Sequence, residues 1–99
     1  MALYLVSYDI ADKDRDEYED LWAKLKELKA TKILYSEWVV IRKYDPNGNT
    51  AHEIYKALSP LIRKDDRLLV QEMAGCAAWD KLLISNEAFK SLVEANARF

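Results

Sequence analysis

Two glycines, two prolines, one cysteine and one histidine are all that these 99 residues contain of those types. So little glycine and proline excludes a disordered or low-complexity chain, and a hydrophobic content of 51% supplies one core. The single cysteine, Cys76, excludes an internal disulfide and a cysteine-rich metal site, which fits a reducing compartment. Between Gly75 and Ala77 it reads as a small buried residue. The single histidine, His52, falls in the first turn of a predicted helix, exposed and without an evident partner for general-base work. No apolar stretch nears the ~20 residues of a membrane span, and no basic leader or cleavage site follows Met1, so the expected location is the cytoplasm. Glycine-rich phosphate loops and nucleophile elbows are missing too. A net charge of −2 lacks the basic excess of a strong nucleic-acid binder, although Arg63, Lys64 and Arg67 hint at a local gathering of cations.

What the chain does have is clear apolar periodicity. Leu3-Tyr4-Leu5-Val6-Ser7-Tyr8 reads as a buried strand that stops where Asp9 begins, because an unpaired carboxylate is costly to bury. Tyr18, Leu21, Trp22, Leu25 and Leu28 fall on one helical stripe, with Asp14 and Glu17 placed as a capping box before it. Residues 31–42 are dense in β-branched and aromatic types. They form either one long strand or two joined tightly at Tyr35-Ser36-Glu37. Asp45-Pro46-Asn47-Gly48 is a turn, and Thr50 with Glu53 predicts a capping box for a second helix striped by Ala51, Ile54, Tyr55 and Leu58. Pro60 ends or kinks that helix, and one further turn can restart at Ser59-Pro60. Leu68-Leu69-Val70 reads as a central strand running towards Met73, residues 74–85 are ambiguous, and Ser85 caps a final helix striped by Ala88, Phe89, Leu92 and Val93.

The order strand, helix, strand pair, helix, strand predicts an α+β domain of the βαββαβ ferredoxin-like type over residues 1–99, with 85–99 as a C-terminal helical extension. Right-handed crossovers put the first and third strands at the centre of the sheet. A small sheet with helices on both faces is the alternative.

Asp9 is the candidate site residue. An acid at the end of a strand, just before a helix, either holds a metal or positions a water, or accepts hydrogen bonds from its own loop. Asp12, Asp14 and Asp16 alternate like part of a calcium loop but lack its glycine and distant glutamate, so they read as a solvated loop and helix cap. Ser7 and Ser36 can add hydroxyl contacts beside Asp9, and Tyr8 can stack on a base. Trp22, Trp38 and Trp79 read as core or interface, with Trp38 able to anchor a dimer if it lies on a sheet edge.

Tyr4-Leu5-Val6-Ser7-Tyr8-Asp9-Ile10 resembles the opening strand of the small CRISPR-associated proteins of the Cas-two type, and more closely that of their SinR-like relatives. Leu34-Tyr35-Ser36-Glu37-Trp38-Val39-Val40 is similar to the segment where the family's second strand turns into its third. Asp66-Arg67-Leu68-Leu69-Val70 and Ala77-Ala78-Trp79 look like the SinR-like end of the domain. The resemblance implies a ferredoxin-like homodimer in which the acid ending the first strand, here Asp9, comes from both subunits to the dimer axis. In nuclease-active members that pair binds a divalent metal, Mg²⁺, and hydrolyses RNA or DNA; other members hold nucleic acid as a scaffold without cutting it. This chain departs from the pattern in its acidic balance, in the acids that open its first helix and in its tail at 85–99, which is expected to cap a dimer or cover a sheet edge.

Overall fold

A computed structural model describes residues 1–11, 18–75 and 77–97. The expected cap at Asp14 and Glu17, the acids Asp12 and Asp16, and Cys76 lie outside the described residues. The described chain is a mixed α+β domain. Its elements are β1 (Ala2–Asp9), α1 (Glu19–Glu27), β2 (Thr31–Leu34), β3 (Glu37–Arg42), α2 (Asn49–Leu58), a 3-10 turn (Ser59–Leu61), β4 (Arg67–Met73) and α3 (Asn86–Asn96). The four strands form one antiparallel sheet in the order β2-β3-β1-β4, so β1 and β3 are central as the crossover rule requires. β4, expected to be central, is an edge strand. Its exposure alternates because successive side chains point to opposite faces, and Leu69 is 52% exposed.

The uninterrupted apolar run of β1 has a simple cause: the strand is covered on both faces. Ala2, Tyr4, Val6 and Tyr8 point to one face, where Trp38 and Val40 of β3 meet Leu21 and Leu25 of α1 and Ile54 and Leu58 of α2. Each such fully buried leucine contributes about 1.5–3 kcal/mol. Leu3 and Leu5 point the other way, into a second cluster with Val39 and Ile41 of β3, Ile33 of β2, and Phe89 and Val93 of α3. The C-terminal extension therefore neither caps an edge alone nor stands free: α3 covers the second sheet face, and the alternative of helices on both faces describes the outcome. Trp79 reinforces this layer, set edge-on to Phe89 at 4.8 Å. The segment before α3 also touches the β2 edge once, where the Leu83 N–H donates to the Ile33 carbonyl at 2.9 Å.

Residues 31–42 are two strands. The turn Tyr35–Ser36 has no residue at positive φ, so it is not the primed turn that matches strand twist. The pairing accommodates it with an irregularity between Lys32 and Leu34. Asp45-Pro46-Asn47-Gly48 forms its turn: the Asn47 N–H donates to Asp45 Oδ1 at 2.8 Å, the Gly48 N–H donates to the Asp45 carbonyl at 3.1 Å, and Gly48 adopts φ +78°. The capping box at Thr50 is not formed. Gly48 stands at the N-cap, and the Thr50 hydroxyl donates instead to the Lys43 carbonyl at 2.8 Å, tying α2 back to the chain leaving β3. Tyr55, placed on the buried stripe by spacing, is 43% exposed and stacks on His52 at 6.0 Å. Ser85 caps α3 as expected, its Oγ accepting from the Ala88 N–H at 3.1 Å. Among the described residues no helix is long and apolar enough to cross a membrane.

Candidate functional site

The antiparallel order brings one end of every strand pair together. The end of β1, the β2–β3 turn and the start of β4 lie at the same end of the sheet. There, the Tyr8 N–H donates to the Ser36 carbonyl at 3.1 Å, and Asp9 faces Arg67 as the last rung of the β1–β4 ladder.

Asp9 is 75% exposed, as the sequence suggested for an acid terminating a buried strand. Among the described residues its partner is Arg67 of β4. Its Oδ2 lies 3.6 Å from Arg67 Nη1, whose side chain is 83% exposed. An ion pair this open is screened by water and salt and stabilises by about 0–1 kcal/mol. Its sequence neighbour Ser7 is half-buried and pairs across the sheet with Leu69 and Glu37.

A second carboxylate at this end behaves differently. Asp66 was legible only as part of an acidic turn before β4, yet it joins three segments. Its Oδ1 accepts from the Ala11 N–H at 2.8 Å, its Oδ2 accepts from the Arg63 N–H at 3.0 Å, and the Tyr18 hydroxyl reaches both oxygens at 3.1 Å. The Arg63 guanidinium lies 5.6 Å from the centre of the Tyr18 ring. Partial burial, the largest influence on the Asp66 carboxyl, opposes its charge. The Ala11 and Arg63 N–H groups, the Tyr18 hydroxyl and the Arg63 charge together outweigh it and hold the carboxyl below the usual aspartate value. A cavity of about 340 Å³ opens beside this latch, lined by Ala11, Tyr18, Arg63, Lys64, Asp65 and Asp66.

Tyr8 was a candidate for stacking on a base. It is only 4% exposed, and its hydroxyl accepts from the indole N–H of Trp22 at 3.2 Å and of Trp38 at 3.1 Å. It is a buried bridge between α1 and β3. Trp38 is likewise 4% exposed on an inner strand, so it does not anchor a dimer through a sheet edge. The exposed aromatic at this end is Tyr35, at 82%.

The described residues do not gather a set of metal donors around Asp9. Among the described residues no three His, Cys, Asp or Glu side chains converge to hold a metal. Asp9 offers one carboxylate with a guanidinium beside it, and both oxygens of Asp66 are already engaged.

No family model matches the chain, and no solved structure matches it.

Proposed function

We propose that this chain is a non-catalytic nucleic-acid-binding module of the Cas-two and SinR-like kind, a ferredoxin-like homodimer acting in the cytoplasm. The ferredoxin-like reading is supported by the strand order β2-β3-β1-β4, with α1 and α2 against one face, which is the arrangement two split β-α-β units produce. The observation that carries the binding reading is the state of Asp9. Its carboxylate faces the Arg67 guanidinium across an open ion pair, and the neighbouring acid, Asp66, is spent on tying Ala11, Tyr18 and Arg63 together. In this reading Asp9 closes the β1–β4 ladder, while Arg67 and Lys64, both exposed, offer charge to phosphates.

A second reading, metal-dependent hydrolysis of RNA or DNA by Asp9 from each of two subunits, is favoured by one feature: Asp9 is exposed at the end of a central strand. Opening so weak an ion pair for Mg²⁺ costs about 1 kcal/mol or less. In that case the metal, once bound, lowers the pKa of a bound water and polarises a phosphodiester oxygen. The residues of this chain would contribute one carboxylate per subunit and a guanidinium for the phosphate. Analytical ultracentrifugation with a labelled oligonucleotide, with and without Mg²⁺, tests both readings. The binding reading expects a dimer that retains full-length oligonucleotide; Mg²⁺-dependent shortening of the oligonucleotide that disappears in Asp9→Ala establishes the second.

A further inference from the structure

Lys32 of β2 sits among three aromatic rings. Its ammonium lies 5.6 Å from the ring centre of Trp22, 5.7 Å from that of Tyr35 and 5.9 Å from that of Trp38. Lys32 and Trp38 are cross-strand partners, so their side chains share the sheet face over which α1 carries Trp22. Two of the rings are fixed by structure, because both indole N–H groups are held by the Tyr8 hydroxyl. The third is not. Tyr35 is 82% exposed in the β2–β3 turn, and Leu34 beside it is 40% exposed. Core packing explains Trp22 and Trp38; it does not explain a tyrosine ring left in water against an ammonium group.

Among the described residues no carboxylate lies within ion-pair distance of Lys32, so its charge is met by ring faces alone. A ligand suited to this arrangement carries a flat π-face for Tyr35 and an anion for Lys32. A nucleotide in a strand has both. In a duplex the base faces are buried in the stack, so only an unpaired base reaches a protein ring. An acidic peptide would satisfy Lys32 and leave the Tyr35 ring wet. The location continues the site already described: Ser36, next to Tyr35, is hydrogen-bonded to Tyr8, and Asp9 and Arg67 follow. Lys32, with Trp38 and Val6, lies on the sheet face that α1 covers, whereas Arg67, paired with Asp9, lies on the other face at the same end of the sheet.

We infer that Tyr35 and Lys32 form a stacking site for one unpaired nucleobase and its phosphate, which makes single-stranded RNA or DNA the ligand class. This rests on the nucleic-acid reading above and adds the residues and the strandedness. The test is fluorescence anisotropy of the full chain with a short labelled oligouridylate, alone and annealed to oligoadenylate. The wild type is expected to prefer the single strand. Tyr35→Ala is expected to weaken single-strand binding by about tenfold or more, Tyr35→Phe to preserve it, and Lys32→Ala to weaken it while flattening the salt dependence. Because Tyr35 is exposed in a turn, its variants keep the fold, which circular dichroism checks. Single-strand binding untouched by Tyr35→Ala, or a preference for duplex, overturns the stacking site and leaves the broader reading standing. Failure of the wild type to bind either form overturns both. Displacement of the oligonucleotide by polyglutamate, abolished in Lys32→Ala but unchanged in Tyr35→Ala, assigns the patch to an acidic protein instead.

Discussion

Asp9 and Asp66 stand at the same end of one sheet and have opposite surroundings. Among the described residues Asp9 has one partner, a guanidinium at 3.6 Å, with both side chains largely in water. Asp66 receives hydrogen bonds from Ala11 and Tyr18, both distant in sequence, and from Arg63 three residues before it; Ala11 and Arg63 donate through their backbone N–H groups. The difference teaches that the acid ending the first strand, which sequence pattern makes conspicuous, is not the acid that organises this end of the molecule. Hydrogen-bond donors have been built around Asp66 and water has been left around Asp9. An acid kept in water is free to meet a ligand or another chain; an acid enclosed by donors holds a fold.

The comparison breaks most visibly at Asp66. Asp66→Ala leaves the Ala11 and Arg63 N–H groups and the Tyr18 hydroxyl without their acceptor, and urea unfolding is expected to show a loss of about 2–3 kcal/mol. A loss as small as that of an exposed surface substitution removes the latch from the account. Tyr18→Phe takes away one donor and keeps the ring, so it is expected to lose about 1 kcal/mol in the same measurement. The third test uses pH. The folded Asp66 carboxyl titrates below its unfolded value, so the stability it confers is fully present above the ordinary aspartate range and is lost as pH falls through the lowered folded value. The stability gap between wild type and Asp66→Asn is therefore expected to narrow as pH drops below about 4, and a gap that widens in acid contradicts the assignment. The smallest effect belongs to Asp9→Asn, expected to change stability by no more than about 0.5 kcal/mol and to shrink further in high salt.

Much of the architecture was legible because local rules and tertiary structure agree. The apolar run of residues 3–8, the stripe of α1, the turn at residues 45–48 and the Ser85 cap each follow from spacing or side-chain chemistry that acts within a few residues. Longer-range features were not legible. Whether Leu68-Leu69-Val70 is central or at an edge depends on which strand pairs beside it, and three apolar residues in a row fit both. The position of α3 depends on an uncovered sheet face that exists only after β1 and β3 have paired. Thr50 and Glu53 have the spacing of a capping box, but a glycine at left-handed φ had already set the start of the helix two residues earlier. At the site, Asp9 stood out because it interrupts an apolar run. Asp66 did not, since Asp65-Asp66 reads as any solvated turn until Ala11 and Tyr18 meet it. Tyr8 was read as a stacking candidate for the same reason: a tyrosine inside a strand looks accessible until Trp22 and Trp38 close over it.

The most direct measurement is incubation of the wild-type protein and Asp9→Ala with a labelled single-stranded oligonucleotide in Mg²⁺, read as bound fraction and as length on a denaturing gel. The account predicts that both proteins bind the oligonucleotide and leave it intact. Shortening by the wild type that Asp9→Ala abolishes contradicts it, and makes the exposed acid a catalytic ligand.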